Sequence, residues 1–203
     1  YSLPLFSNEE RAIVGTAYKQ ESREKAIKLG LDFFGVKMKR MVEEAEELLK
    51  EKENKHIVVH CWRGGMRSAG VAWLLDLYGF KVHTLIGGYK AYRKWVLEFL
   101  KQDHDINILG GYTGSGKTEV LHYLKKLGNS VVDLEGIAHH KGSAFGAIGQ
   151  TKQPSQEMFE NLLALQLFRE EQKAQPVWLE DESQRMGLIN LPQDFWTTMR
   201  AKT

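Results

Sequence analysis

The chain reads as an α/β protein of two units, each built on a parallel sheet, and three observations lead there. Short β-branched or aliphatic runs alternate with stretches of helical spacing along the 203 residues. One run, Ile57-Val-Val-His60, leads straight into the single cysteine, Cys61, and a glycine-bearing loop. Another, Ile106-Asn-Ile-Leu109, leads into Gly111-Tyr-Thr-Gly-Ser-Gly-Lys117-Thr118, a full match to G-x-x-x-x-G-K-[ST]. The polar stretch Lys101-Gln-Asp-His-Asp105 separates the two, so units over 1–103 and 104–203 are expected.

Each element has a local cause. Ser7-Asn-Glu-Glu10 has the form of a capping box and predicts a helix through Tyr18. Met38, Met41, Val42, Ala45, Leu48 and Leu49 recur at helical spacing, opposite an acidic face that includes Glu43, Glu46 and Glu47. After the cysteine loop, Val71, Leu74, Leu75 and Tyr78 line one side of a helix that Gly79 ends. Lys81-Val-His-Thr-Leu85 predicts a strand closed by Gly87-Gly88, and 91–100 a helix. In the second unit the spacing predicts strands at 106–109, 130–133 and 177–180. It predicts helices at 118–127 and at 156–172, the latter capped by Ser155 and carrying Phe159, Leu162, Leu163 and Leu167.

Composition narrows the function classes. Apolar content of 42% and charged content of 27% are those of a globular domain. No apolar run is long enough to span a bilayer, and no signal segment opens the chain, so no membrane partner is expected. A single cysteine excludes an intrachain disulfide and a C-x-x-C metal knuckle, and sets a cytoplasmic expectation. The net charge of +2 does not by itself announce nucleic acid. The chain begins without Met in a loop-like stretch and stops inside a helix-like one, so residues beyond both ends are expected.

The phosphate-loop motif predicts a polyphosphate site. Gly111, Gly114 and Gly116 let the backbone curl so that its N–H groups, with that of Ser115, face phosphate oxygens at a helix N-terminus. Lys117 reaches the terminal phosphates of a diphosphate or nucleotide, and Thr118 is placed to hold Mg²⁺. Asp133, Glu180, Asp181 and Glu182, at the ends of strands beside the loop, compete to contact metal or substrate. No permanently bound metal is expected. Tyr112 is a candidate to stack on a base or pack on an apolar chain, whereas Phe145 is expected in the core.

Cys61 lies at the C-terminal end of its strand, facing the N-terminus of the next helix. Loop N–H groups, the helix dipole, Arg63 and Arg67 should lower its pKa from about 8.5 into the range of roughly 3.5–7.5. Arg63, Gly64, Gly65 and Met66 form the expected anion cradle, and Arg67 joins Cys61 as a catalytic candidate. The side chains of Trp62 and Met66 are expected to pack. His-Cys-x5-Arg-Ser matches cysteine-dependent phosphatases and is one residue longer than common sulfurtransferase loops. The loop alone leaves phosphate hydrolysis and sulfur or selenium transfer both open.

Its neighbours carry a resemblance. Leu85-Ile-Gly-Gly-Tyr-Lys-Ala-Tyr-Arg93 is similar to the L-x-G-G-x-x-A-[WY] segment of rhodanese domains, which tyrosine-class phosphatases do not carry there. A rhodanese-like parallel-sheet domain followed by a P-loop NTPase-like α/β domain is a rare pairing. Together with Leu3-Pro-Leu-Phe-Ser-Asn-Glu-Glu-Arg11, Val14-Gly-Thr-x-Tyr-Lys-Gln20, Asp133-Leu-Glu-Gly136, Gly142-Ser-Ala-Phe-Gly146, Gln153-Pro-Ser-Gln156 and Glu180-Asp-Glu-Ser183, it resembles the tRNA 2-selenouridine synthases. The strand and Asp-Val-Arg-like turn that open a rhodanese domain are absent from this sequence. The resemblance implies a transferase that replaces the sulfur of wobble 2-thiouridine in tRNA with selenium from selenophosphate, through an S-geranylated intermediate made with geranyl diphosphate. By position, Cys61 would act in the selenium step, and 111–118 would hold the diphosphate or a nucleotide.

Arg63, Lys90, Arg93 and Lys94, with His139, His140 and Lys141, are the expected tRNA contacts. Two other functions compete. One is a cysteine-dependent phosphatase or sulfurtransferase coupled to a nucleotide-binding domain, although no Trp-Pro-Asp acid loop is present. The other is a nucleotide-gated binding module in which Cys61 is incidental.

Overall fold

Ser7 starts the first helix in the computed structural model, α1 (Asn8–Gln20), as a capping box. Its hydroxyl accepts from the Glu10 N–H, and the Glu10 carboxylate accepts from the Ser7 N–H. The structure describes residues 1–112, 114–143 and 145–202. Thr113 of the phosphate-loop motif and Ala144 of the 142–146 motif lie outside the described residues.

α2 (Arg23–Gly35) follows at once, with Ser22 as its N-cap and Ala26, Gly30 and Phe34 buried four residues apart. The sequence reading did not anticipate this helix, because Gly30 and Gly35 break its apolar pattern. α3 (Met38–Leu49) buries Met41 and Ala45 and leaves Glu43, Glu46 and Glu47 exposed, as the stripe predicts. β1 (His56–Val59) runs parallel to β2 (Lys81–Thr84), from His56 opposite Lys81 to Val59 opposite Thr84. Between them α4 (Met66–Tyr78) buries Val71, Leu74 and Leu75 and ends at Gly79 in the left-handed region, φ 112°. Tyr78, expected on the buried face, is exposed, and its hydroxyl donates to Glu46. Phe34, Met41, Val71, Leu74, Leu75 and Phe80 form the core that seats the cysteine loop.

α5 (Gly88–Phe99) spans the division between two compact units, Tyr1–Tyr92 and Arg93–Thr203. In the second unit β3 (Ile106–Leu109) leads into α6 (Lys117–Lys126). The strand expected at 130–133 is reduced to one parallel bridge, Val131 opposite Trp178. It goes no further because Asp133 caps α7 (Leu134–Ala138), accepting from the Gly136 N–H at 2.7 Å and turning the chain away. α8 (Gln156–Glu171), capped by Ser155, buries Phe159, Leu163 and Leu167. It leads back to β4 (Val177–Glu180), which pairs in parallel with β3 from Ile106 opposite Val177 to Leu109 opposite Glu180. A small antiparallel hairpin, β5 (Arg185–Met186) and β6 (Ile189–Asn190), and α9 (Gln193–Ala201) complete the described chain. Among the described residues, no helix is long and apolar enough to cross a membrane.

Candidate active sites

β1 delivers Cys61 to a loop wrapped around its sulfur. The Gly65 N–H donates to Sγ at 3.3 Å, and the Ser68 hydroxyl lies 3.3 Å from the same atom. Ser68 is buried in the first turn of α4, and its hydroxyl is also placed to donate to the Gly65 carbonyl at 2.9 Å. The glycine pair after β2 supports the loop from below. The Tyr89 N–H donates to the Cys61 carbonyl at 2.9 Å and the Lys90 N–H to the Trp62 carbonyl at 2.9 Å.

Burial alone would push the Cys61 thiol up. Hydrogen bonds from the Ser68 hydroxyl and from the backbone at Gly65, Ser68 and Arg63 outweigh it and bring the pKa from 9.0 down to about 6. The main lowering comes from the Ser68 hydroxyl and the loop N–H groups, the latter among the causes expected from the sequence beside Arg63 and Arg67. Iodoacetamide labelling against pH should have its midpoint near 6, and Ser68→Ala should move it upward. A wild-type midpoint at or above about 8.5 would rule out an activated thiol. Because the folded pKa is depressed, stability gained from the thiolate is present above the unfolded pKa and is lost as pH falls through about 6.

In the second unit the phosphate loop joins β3 to α6. Gly114 and Gly116 have φ of 80° and 84°, and a Cβ at Gly111 would lie 2.6 Å from the Ser115 oxygen. Lys117 folds back on the loop, donating to the Gly111 carbonyl at 3.0 Å, with Glu182 Oε1 4.0 Å away. The Thr118 hydroxyl faces two carboxylates, Glu135 Oε2 at 3.2 Å and Glu180 Oε2 at 3.3 Å. Glu135, Glu180 and Glu182 have carboxylate oxygens within 4.8 Å of one another. Burial first, then the charges of Asp133, Glu135 and Glu182, push Glu180 up to about 7, even though the Glu135 N–H donates to it. Glu182 and Glu135 are raised by the same two causes, burial first. Negative charge gathered so closely and so little balanced suits a hard divalent cation held by oxygens.

A family described as "tRNA 2-selenouridine synthase AAA domain" matches residues 104–203, and the rhodanese-like domain family matches 16–95. A tRNA 2-selenouridine synthase of Nitrosomonas europaea is 37% identical over 98% of this chain and 52% of its own length. One of Shewanella halifaxensis is 41% identical over 98% of this chain and 54% of its own. The chain belongs to the tRNA 2-selenouridine synthase family. It spans about half the length of the curated relatives it matches.

Within this family frame, the structure brings some expected residues together and separates others. Cys61, Arg63, Gly64, Gly65, Met66 and Arg67 share the cysteine loop and the start of α4, as expected. Met66 and Trp62, expected to pack, are 59% and 53% exposed. Trp62 instead lies against Tyr89, ring centres 5.7 Å apart. Gly111, Gly114, Ser115, Gly116, Lys117 and Thr118 share the phosphate loop and the start of α6, and Lys117 and Thr118 bring it to Glu182 and Glu180. Asp133 is spent as the α7 cap and as a partner of His122 at 3.1 Å, and Asp181 is paired with Arg200. Glu135 takes the place in the acidic cluster. The sequence reading passed over Glu135 and Ser68, although both stand inside motifs it quoted.

The expected tRNA contacts also change. Arg93 is half-buried, paired with Glu160 and donating to Asn161 Oδ1 at 3.0 Å, because α5 turns it toward α8. Lys94 has Glu98 at 3.6 Å. His140 is buried, and His139 caps α7 with its ring against Thr151 and the Lys152 carbonyl. Arg63, Lys90 and Lys141 remain exposed. Phe145, expected in the core, is 76% exposed, and Tyr112 is 92% exposed.

Proposed function

We propose that this chain carries two stations of a tRNA-modifying transferase that replaces the sulfur of wobble 2-thiouridine with selenium. Family membership supports the reaction, and the thiol of Cys61, lowered to about 6 inside an anion-sized loop, is the observation that carries the reading. We place the functional boundary near 103, since the two family matches leave 96–103 between them. We place the chain in the cytoplasm with its tRNA.

The first station takes selenophosphate, a tetrahedral oxyanion. The N–H groups of the cysteine loop and the exposed Arg63 and Arg67 hold its oxygens, and Cys61, ionised at neutral pH, acts in the selenium step. The second station takes geranyl diphosphate. Backbone N–H groups over 111–118 and the Lys117 ammonium hold the diphosphate, which leaves as the prenyl carbon bonds to the thio sulfur. Alkylation turns that sulfur into a leaving group: the selenium of selenophosphate bonds to C2 of the uridine as the C2–S bond breaks and the prenyl thiol departs, and water then cleaves the P–Se bond and releases phosphate. Thr118, Glu180, Glu182 and Glu135 would hold Mg²⁺, which when bound neutralises charge on the departing diphosphate. Arg63, Lys90 and Lys141 supply phosphate contacts to the tRNA.

Two substitutions test the division of labour. Cys61→Ala should abolish selenium incorporation into a thiolated anticodon stem-loop, read by mass spectrometry, and leave diphosphate affinity unchanged. Lys117→Ala should weaken diphosphate binding by roughly 10–100-fold through loss of a charge-assisted hydrogen bond. Loss of both activities in each folded variant would replace the two stations with one composite site.

A further inference from the structure

Cys61 opens into a cavity of about 630 Å³ whose walls include β1, the start of α4 and, from the N-terminal segment and α1, Leu5, Phe6, Asn8 and Arg11. Its fixed charge has one sign. Arg11 of α1 and Arg67 of α4 line it, and no lysine, aspartate or glutamate does. A hollow with apolar walls and only cationic charge gathers anions from solution. The same two arginines also line the neighbouring concavity between α1 and α2, so they stand on the rim that the two hollows share. Both are exposed there.

The capping box that starts α1 keeps Arg11 available to a ligand. Glu10 accepts from the Ser7 N–H at 2.7 Å and is paired with Lys37, and Glu9 accepts from the Ser7 hydroxyl at 2.7 Å. The two acids next to Arg11 in sequence are thus committed elsewhere. The Arg11 N–H donates to the Ser7 carbonyl at 2.9 Å, which fixes its backbone, and its Nη2 donates to Asn8 Oδ1 at 3.2 Å. Among the described residues, the arginines paired with carboxylates are Arg40, Arg93 and Arg200. We propose that Arg11 is a further substrate-holding residue, which with Arg67 clamps a phosphate group at the mouth of the cysteine cavity. A guanidinium fork matches phosphate oxygens, and two forks carried by separate helices take the oxygens of one phosphate from two directions. That phosphate belongs to selenophosphate or to the RNA backbone beside the reacting uridine, which present the same oxygens. The proposal deepens the function argued above and rests on it for the identity of those two sources.

Two measurements on the 203-residue chain test it. In the first, inorganic phosphate protects Cys61 from iodoacetamide at neutral pH. Arg11→Gln should raise the phosphate concentration for half-protection roughly tenfold, through loss of a charge-assisted contact. Arg11→Lys, which keeps the charge but not the fork, should recover only part of it. The labelling midpoint without phosphate should stay near 6 in both variants, because the Ser68 hydroxyl and the loop N–H groups set it. Arg23→Gln removes the same charge from a residue that lines only the neighbouring concavity, and it should protect as wild type does. In the second, binding of an anticodon stem-loop is followed against salt. Loss of one RNA phosphate contact flattens the log–log slope by about 0.7–0.9. Lost protection with an unchanged slope assigns the clamp to selenophosphate, a flattened slope with unchanged protection assigns it to RNA, and both together to a site the two share. Neither change in Arg11→Gln would overturn the proposal, as would an equal loss in Arg23→Gln. A labelling midpoint displaced by Arg11→Gln would make Arg11 a structural residue and also overturn it. If the wild-type chain incorporates no selenium into a thiolated stem-loop while Arg11→Gln still loses protection, the function proposed above falls and the phosphate clamp stands.

Discussion

Gly88→Ala should disable the cysteine loop without touching any side chain in it. Gly88 sits at φ 62°, and a Cβ there would lie 2.2 Å from the Cys61 carbonyl and 2.3 Å from the Gly64 nitrogen. Both are backbone atoms, so neither can swing aside. The approach is reciprocal, since a Cβ at Gly64, φ 65°, would lie 2.7 Å from the Gly88 nitrogen. Alanine must therefore push the loop off the segment whose Tyr89 and Lys90 N–H groups anchor it. The expected cost is about 2–4 kcal/mol, from backbone strain and lost anchoring together. The labelling midpoint of Cys61 should rise with it, because the donors that lower the thiol are carried by the displaced backbone. Gly79→Ala is the control, with φ 112° but nothing within 4 Å of the added carbon. If Gly88→Ala melts no lower than the control and keeps a midpoint near 6, the glycine pair is not what shapes the loop.

Glu180→Gln should stabilise the ligand-free protein and impair its proposed metal site. Glu180 is fully buried, and its carboxyl, pushed up to about 7, holds a proton in the folded state that the unfolded chain releases above about 4.5. Between those values the folded state binds more protons, so stability is fullest below the unfolded pKa and falls as pH rises through about 7. A shift of that size corresponds to roughly 3 kcal/mol at the upper end. The neutral amide removes this slope, and the variant should melt higher than wild type at pH 8 and no higher at pH 4. Mg²⁺ with a diphosphate ligand should raise the wild-type melting temperature at pH 8 and leave the variant's unchanged. A variant less stable than wild type at pH 8 would show that the acidic cluster is already balanced without a cation.

The parts legible in the sequence are those whose chemistry is local. The phosphate loop needs glycines, Lys117 and Thr118 in one short run between a strand and a helix, so 106–118 can be read directly. The caps at Ser7 and Ser155 likewise depend on residues three positions away. Glu135 could not be read the same way. It meets Glu180 only because Asp133 ends a would-be strand and starts α7, a turn that depends on one hydrogen bond to Gly136. Ser68 was visible beside Arg67, but its orientation toward Cys61 follows from the phase at which α4 begins. Arg93 looked like a surface cation because Glu160, which captures it, is 67 residues away. α2 was hidden by its own glycines, of which Gly30 lets the Phe6 ring come within 3.3 Å of where a Cβ would stand.

The Ser68 hydroxyl has one proton and two claimants, the sulfur of Cys61 and the carbonyl of Gly65. While Cys61 is a thiol, its own hydrogen can point to the Ser68 oxygen, and Ser68 donates onward to Gly65. Once the thiolate forms, the hydroxyl turns to the sulfur and leaves the Gly65 carbonyl with the Ala69 N–H alone, at 3.1 Å. Bonding of the sulfur to a carbon, as iodoacetamide achieves, removes its charge and returns the hydroxyl to Gly65. The first turn of α4 therefore registers the chemical state of the cysteine, so a change at the sulfur is written into the hydrogen bonding of the helix that Cys61 faces.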